Sequence, residues 1–294
     1  MYTQHMPLDY VSGMISILCP TRGRPENVIR KVNSILSTSH RGDLVEIIFY
    51  VDNDDVTFPE IVLNNGNVTV VKGPRMWLSI LQNVLYSYSK GEIIMYTGDD
   101  VVFETNGWDE IIREEFNAQE DKILLVYGTD GGYYGDRIAL HGFLHRDWVN
   151  TVGCWVQPGR AVPYDYWLTD TARKLGRLKY IDSLRFAHIH YRQGDASAKF
   201  DSTYYAVSNL QKSFRPLITY KNMERERRID RILLSEKMLV KPKTELKYLL
   251  GELFAELRFL KLDVVEKRRL KTFNNIRFIL YFRKLTAKFF LSRK

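Results

Sequence analysis

The chain has 294 residues, 45% hydrophobic and 27% charged, a composition that excludes a disordered or fibrous protein and leaves ample material for a core. The start is polar and carries His5 and Asp9, unlike a secretory signal, and the apolar runs are too short to span a membrane, so a cytoplasmic, enzyme-sized protein is expected. The net charge of +8 is uneven: residues 221–294 hold 21 Lys/Arg against 9 Asp/Glu, and residues 1–220 hold 22 against 26, so a mildly acidic body carries a strongly basic tail.

Residues 14–19 form a short apolar run closed by Pro20 and read as a buried strand. Its Cys19, like Cys154, has apolar neighbours and no metal-type spacing, as expected of a buried free thiol in a reducing compartment. Thr21 to Arg24 make a turn, and Pro25 with Glu26 suits the first turn of a helix running to about Ser37, with Val28, Val32, Ile35 and Leu36 on one face. At such a turn Arg22 and Arg24 either meet a phosphate or nucleobase or stay solvated. Residues 45–51 are a second strand, ending in Asp52, Asn53, Asp54 and Asp55; residues 68–71 are a third, at a sheet edge. A helix follows over 77–89, with Leu78, Leu81, Leu85 and Tyr88 at helical spacing.

The next strand is the apolar run from Ile93 to Tyr96, which stops at Gly98, Asp99 and Asp100. In open α/β sheets the ligand site lies outside the carboxyl ends of the strands. Two acids delivered there either hold a divalent cation carrying phosphates or form a solvated turn. Strands alternating with helices over 14–127 predict a mostly parallel sheet with right-handed crossovers, whose first half binds a nucleotide at the strand ends.

Further on, a helix opens at Trp108, a strand covers 122–127, and residues 128–136 make a glycine-rich, aromatic loop suited to a phosphate cradle or a mobile lid. Helices are expected over 146–152 and 164–175, the second stopped by Gly176, and a strand over 178–181. Residues 187–191 then place His188 and His190 on one side of an extended segment. Trp108, Trp155 and Trp167 suit core packing or stacking on a sugar or base. The body is expected to end near Tyr220.

Beyond it, Leu246, Leu250, Leu253, Leu257, Leu260 and Val264 keep a heptad spacing, and residues 267–294 interleave ten Lys/Arg with aromatics. Three uses fit that basic helical extension: an anionic membrane surface, nucleic acid, or a solvated helix.

These pieces together resemble the GT-A glycosyltransferases, most closely the family-2 type, from Ile15 to about His190. The stretch from Ile15 to Pro25 looks like the family's opening strand and nucleotide turn, bringing Thr21, Arg22 and Arg24 to the donor. Asp52 matches the Asp that contacts the base or ribose. Asn83, eight residues before Gly91, matches the spacing into the metal strand, and Gly98-Asp99-Asp100 falls on the Asp-x-Asp motif. Two departures stand out: Gly98 replaces the first Asp, and Tyr164 stands where an acidic pair would begin. The region from His188 to Tyr204 is also similar to glycosyltransferase-like proteins of bacteriophages.

The resemblance implies a Rossmann-like GT-A α/β fold over 1–220, with a nucleotide-binding half at 14–127 and an acceptor half at 128–220, followed by the basic extension at 221–294. It implies transfer of a sugar from a UDP- or GDP-type donor with Mg²⁺ or Mn²⁺ held by Asp100 and by His188 or His190. Asp99 would lie at the cofactor and Asp165 would be the base, though an Asp there also suits helix capping. The phage likeness implies a hydroxylated base in DNA as acceptor, with a cell-surface glycan or lipid as the alternative.

Overall fold

Apolar residues at every second position divide the first strands between two helix-covered faces. Ile15, Ile17 and Cys19 of β1 (Val11–Thr21) point one way with Val45, Ile47, Phe49 and Val51 of β2 (Val45–Asp52). They meet Val28, Val32 and Ile35 of α1 (Pro25–Thr38) and Trp108, Ile112 and Phe116 of α4 (Trp108–Ala118). Leu18, Ile48 and Tyr50 point the other way, onto Leu81, Leu85 and Tyr86 of α3 (Leu78–Tyr88). All eight residues of β2 are buried, as a strand covered on both faces requires. The computed structural model describes residues 9–132, 135–155, 163–189, 205 and 220–239.

β1, β2, β3 (Val68–Gly73) and β4 (Gly91–Tyr96) are parallel in the order β3-β2-β1-β4, with β3 at the predicted edge. The short α2 (Glu60–Leu63) precedes β3. Beyond β4 come β5 (Val101–Phe103), α4, β6 (Leu125–Thr129), β7 (Gly142–His145), α5 (Arg146–Val152), α6 (Tyr164–Lys174), β8 (Leu178–His188) and α7 (Glu224–Lys237). The full order is β3-β2-β1-β4-β7-β6-β8-β5. β7 is antiparallel to β4 and β6, and β5 to β8. The sheet is thus parallel in its first half and mixed in its second.

The structure corrects several expectations. The strands at 101–103 and 142–145 were not predicted, because runs of three and four residues are too short for alternation to register. The expected strand at 178–181 and the extended segment at 187–191 form one strand through His188. Its register against β6 shifts between Gly128 and Thr129. Gly128 makes that possible: any side chain there would run into the Leu184 carbonyl. In α3, Leu78 and Tyr88 are 49% and 53% exposed. They are the first and last residues of the helix, while Gln82, Asn83 and Tyr86 join Leu81 and Leu85 on the buried face.

Beyond the expected boundary near Tyr220 the chain continues as α7. α7 lies against α5 and α6, and Met223, Leu234 and Met238 enter the same core cluster as Trp148 and Trp167. The Arg227 guanidinium stacks 3.8 Å from the Tyr220 ring centre and pairs with Asp170 and Glu224. Trp108, Trp155 and Trp167 are all core residues, and Cys19 and Cys154 are both buried thiols. Among the described residues no helix is long and apolar enough to cross a membrane. The leucine stripe, the basic aromatic stretch and His190 lie outside the described residues.

Candidate functional site

Because β1, β2 and β4 are parallel, their carboxyl ends and the turns that follow share one edge of the sheet. The turn after β1 is clasped by the acids after β2. Arg22 places Nη1 2.8 Å from Asp52 and grips Asp54 through two nitrogens at 2.5 and 2.7 Å. That hydrogen bonding draws the Asp54 carboxyl down to about 2. The Gly23 amide donates to Asp55 at 2.7 Å, and Asp55 also caps Thr57. Arg22 therefore stands as a paired, partly exposed guanidinium at the rim.

The turn after β4 is tied to the same place from the other side. Thr21 donates its hydroxyl to one oxygen of Asp99 at 2.7 Å, and Arg24 donates to the other at 2.9 Å. Burial raises the Asp99 pKa against the pull of Arg24, and the neighbouring Asp100 charge raises it further. A Cβ at Gly98 would lie 2.6 Å from Oδ1 of Asp100, so a side chain there would displace that carboxylate. The carboxylate of Asp100 is thus folded back over the position where the motif has its first acid.

Beneath the turn lies a residue that sequence reasoning missed. Lys31 of α1 is fully buried, its Nζ donating to Thr97 Oγ1 at 3.2 Å and to the Val101 carbonyl at 3.0 Å. Burial lowers its pKa, opposed by Cys19, Asp100 and Asp99. The signal was its spacing, three residues after Val28 and four before Ile35, which puts it on the apolar face of the helix.

The mixed half of the sheet brings three more side chains to this edge. β7 starts at Gly142, opposite Tyr96 and Tyr127, so His141 arrives as β4 and β6 end. Asp130 follows the last residue of β6, and His188 ends β8 opposite Val101. His188 lies between two acids, its Nε2 3.5 Å from Asp100 and its Nδ1 3.2 Å from Asp130. Burial opposes its charged form, yet the hydrogen bonds and charges of Asp100 and Asp130 raise its pKa to about 9. His141 meets the His188 ring edge-on at 4.9 Å between centres, with Nε2 3.9 Å from Asp130. Burial first, and then the His188 charge, pushes His141 down to about 3. One ligand atom each from Asp130, His141 and His188 lies within 4.8 Å of the others.

Neither Asp130 nor His141 was singled out from the sequence. For Asp130 the signal was present, since it repeats the pattern of an acid just past a strand end, but it was absorbed into the glycine-rich loop. His141 precedes a strand too short to predict.

Asp165 is the second residue of α6, and Pro163 holds the cap position, so it is not the helix N-cap. It keeps a partial opening to solvent, yet the protein packed around it raises its carboxyl to about 6, against the backbone amides of its own turn. The adjacent Tyr164 phenol lies close enough to feel both Asp165 and Asp100. Asn83 is drawn into different contacts: its amide donates to the Ser79 carbonyl at 2.9 Å and accepts the Trp155 amide at 2.7 Å.

No family model matches the chain, and no curated protein does. Among solved structures, S. aureus TarS 1-349 in complex with UDP is similar over 59% of this chain and 59% of its own, at 13% identity and a TM-score of 0.50. S. aureus TarS is similar over 59% of this chain and 36% of its own, at 12% identity and a TM-score of 0.50. The chain therefore covers less than two thirds of the TarS structures it matches. The mannosyltransferase PcManGT from Pyrobaculum calidifontis, in complex with GDP-Man and Mn²⁺, aligns over 89% of this chain and 84% of its own, at 13% identity and a TM-score of 0.49. The fold is α/β of the Rossmann-like GT-A kind.

Proposed function

We propose that this protein is a nucleotide-sugar-dependent glycosyltransferase that uses a divalent cation. The observation that carries the reading is the meeting at one sheet edge of the Asp99–Asp100 turn, the Arg22–Arg24 turn and His188. A nucleoside diphosphate needs that combination: donors and a cation for its phosphates, and acids for its hydroxyls and base. The fold likeness to TarS, solved with UDP, agrees with it.

The donor set fits a cation. Two carboxylates and two imidazoles converge, and both ring nitrogens of the buried His141 lack a hydrogen-bond partner among the described residues. Asp100, Asp130, His141 and His188 would surround the Mn²⁺ or Mg²⁺ ion. When bound, the ion neutralises the charge that grows on the departing diphosphate.

The remaining roles belong to the chain itself. Asp52 and Arg22 flank the place of the nucleoside, and Asp99 is oriented there by Thr21 and Arg24. Asp165 accepts the proton of the acceptor hydroxyl while that oxygen bonds to the anomeric carbon and the bond from that carbon to the phosphate oxygen breaks. A carboxyl raised to about 6 suits a base working near neutrality. Attack opposite the leaving group gives inversion. The acceptor we favour is a hydroxylated base in DNA: the ten Lys/Arg and aromatics of residues 267–294 suit DNA and an anionic membrane alike, and the likeness of the stretch from His188 to Tyr204 to bacteriophage glycosyltransferase-like proteins favours the former. The base would have to leave the duplex stack to reach Asp165.

The test is incubation of the full chain with UDP- and GDP-sugars and Mn²⁺, following sugar release and thermal shift. Hydrolysis of one donor and stabilisation by its nucleotide are expected. No hydrolysis and no shift with UDP or GDP would leave a binding protein on a transferase-like body.

A further inference from the structure

We propose that Asp130, His141 and His188 form a divalent-cation site preassembled by the protein, which holds its ion before any nucleotide arrives, with Asp100 as the carboxylate that orients His188. The inference rests on the cation-dependent reading above only for the use made of the ion.

Three ligand atoms from three separate chain segments lie within 4.8 Å of one another. Strand pairing anchors the chain next to all three: Asp130 directly follows β6, His141 directly precedes β7, and His188 ends β8. Sites built on paired strands need no ligand to assemble them.

His141 points to an ion independently. It is 9% exposed, and neither ring nitrogen has a hydrogen-bond partner among the described residues. Buried polar atoms in folded proteins are almost always satisfied, so an imidazole with two orphaned nitrogens beside a carboxylate calls for a missing partner. A cation supplies one. The nearest carboxylate oxygen, on Asp130, is 3.9 Å from Nε2, too far for a hydrogen bond.

The two nitrogens of His188 have different neighbours. Asp100 faces Nε2, and Asp130 faces Nδ1. One metal ion cannot use both nitrogens of a ring. With the proton on Nε2 and shared with Asp100, the Nδ1 lone pair points to the side where Asp130 and His141 stand. This is the carboxylate–histidine–metal arrangement, in which an outer acid fixes tautomer and ring orientation. Asp100 is then one residue back from the ion, and Asp130 takes the place of first carboxylate.

Two imidazoles and one carboxylate determine the kind of cation. Imidazole favours a first-row transition ion over Mg²⁺, which keeps to oxygen and water; Mn²⁺, which accepts oxygen ligands beside the two imidazoles, is the spectroscopic probe of the set. Three protein ligands leave open positions for the oxygens of a diphosphate.

The experiment uses the full chain, stripped of metal and free of nucleotide. Mn²⁺ should bind one ion per chain, Mg²⁺ should compete at least about tenfold less well, and pulsed electron paramagnetic resonance should show coupling to two imidazole nitrogens. His141→Gln should remove one coupling and weaken Mn²⁺ binding by about 100-fold. Asp100→Asn should keep both couplings, with binding weakened by no more than about 10–100-fold. No Mn²⁺ binding without nucleotide, fewer than two nitrogen couplings in the wild type, or both couplings surviving in His141→Gln would each overturn the proposal. The wild-type spectrum decides even if His141→Gln fails to fold. The transferase reading fails separately: Mn²⁺ bound as described with no nucleotide sugar consumed would keep this site and remove that activity. Sugar release with no cation bound alone would do the reverse.

Discussion

Arg24 places Nη1 2.9 Å from Oδ1 of Asp99, joining the turn after β1 to the turn after β4. Both groups are mostly enclosed, and Thr21 takes the other carboxylate oxygen. Removing one partner of a buried ion pair strands the other in a desolvated place, at a cost of about 3–5 kcal/mol. Arg24→Ala is therefore expected to lower stability by about 3 kcal/mol, and Thr21→Val by about 1 kcal/mol. Urea unfolding followed by tryptophan fluorescence measures both. An unchanged midpoint for Arg24→Ala would show that the pair only orients Asp99.

Asp100→Ala should lose transfer by about 10²-fold or more and keep the wild-type circular dichroism, since Asp130 still pairs with His188. A carboxylate held for chemistry at a strand end normally costs stability, so its removal does not unfold the chain. Full activity in this variant would remove Asp100 from the site.

Asp165→Asn keeps the shape of the side chain but cannot accept a proton. Turnover should fall by about 10²-fold or more while UDP- or GDP-sugar binding persists. In the wild type, kcat/KM should climb as pH rises through about 6, where burial has put this carboxyl; the variant should lack that limb. Stability has the opposite sign. A carboxyl raised from 3.8 to about 6 favours the folded state only when protonated. That contribution is full below pH 3.8 and is lost as pH rises through 6. At pH 8 the ionised carboxylate costs at most about 3 kcal/mol. Asp165→Asn should then melt above the wild type at pH 8, with the gap closing near pH 4.

The contrast between Asp99 and Asp130 shows how far the sequence could be read. Asp99 follows a six-residue strand whose apolar run is unmistakable, and its neighbours in β1 and β2 follow the same period-2 rule. The parallel half of the fold and its carboxylate edge were therefore legible. Asp130 and His141 reach the same edge through antiparallel pairing of β7, a four-residue strand whose partners are fixed by tertiary packing. No local pattern encodes that. Lys31 shows a second limit: a lysine among apolar neighbours is not read as buried, and only the structure supplies the carbonyl and hydroxyl that accept it. The charged residues of α7 mislead in the same way, since Arg227, Asp230 and Arg231 are buried by pairing with α6.

That pairing ties α7 to α6. The Trp167 indole, two residues after Asp165 on the same helix, donates to Asp230 at 2.8 Å. Asp230→Ala should cost about 1.5–3 kcal/mol, as the loss of a hydrogen bond to a charged group does. A chain stopped after Tyr220 should not fold, because Met223, Leu234 and Met238 each bury a side chain worth about 1.5–3 kcal/mol. A sharp, wild-type-like thermal transition in the truncated chain would show that α7 is an accessory.

The basic extension, where 221–294 hold 21 Lys/Arg against 9 Asp/Glu, is open to a test of charge alone. Truncation tests it poorly, since the stretch begins inside the core. Neutralisation is the cleaner change: Lys267, Arg268, Arg269, Lys271, Lys284 and Lys288 replaced with Gln. If these side chains hold phosphates, each replacement leaves one more counterion on the DNA. Affinity should then drop strongly, and the slope of log affinity against log salt should flatten by up to about 5. The aromatics between them, Phe278, Tyr281 and Phe282 among others, would still stack or pack, so some salt-independent binding should remain. Anionic vesicles test the alternative acceptor at a membrane surface, where the same charges would meet lipid headgroups and the aromatics would enter the interface. A variant that binds DNA like the parent but no longer floats with anionic vesicles would move the acceptor to a surface glycan or lipid. Wild-type protein that binds neither would leave the extension a solvated helix, and the acceptor would have to be sought at the mouth of the site beside Asp165.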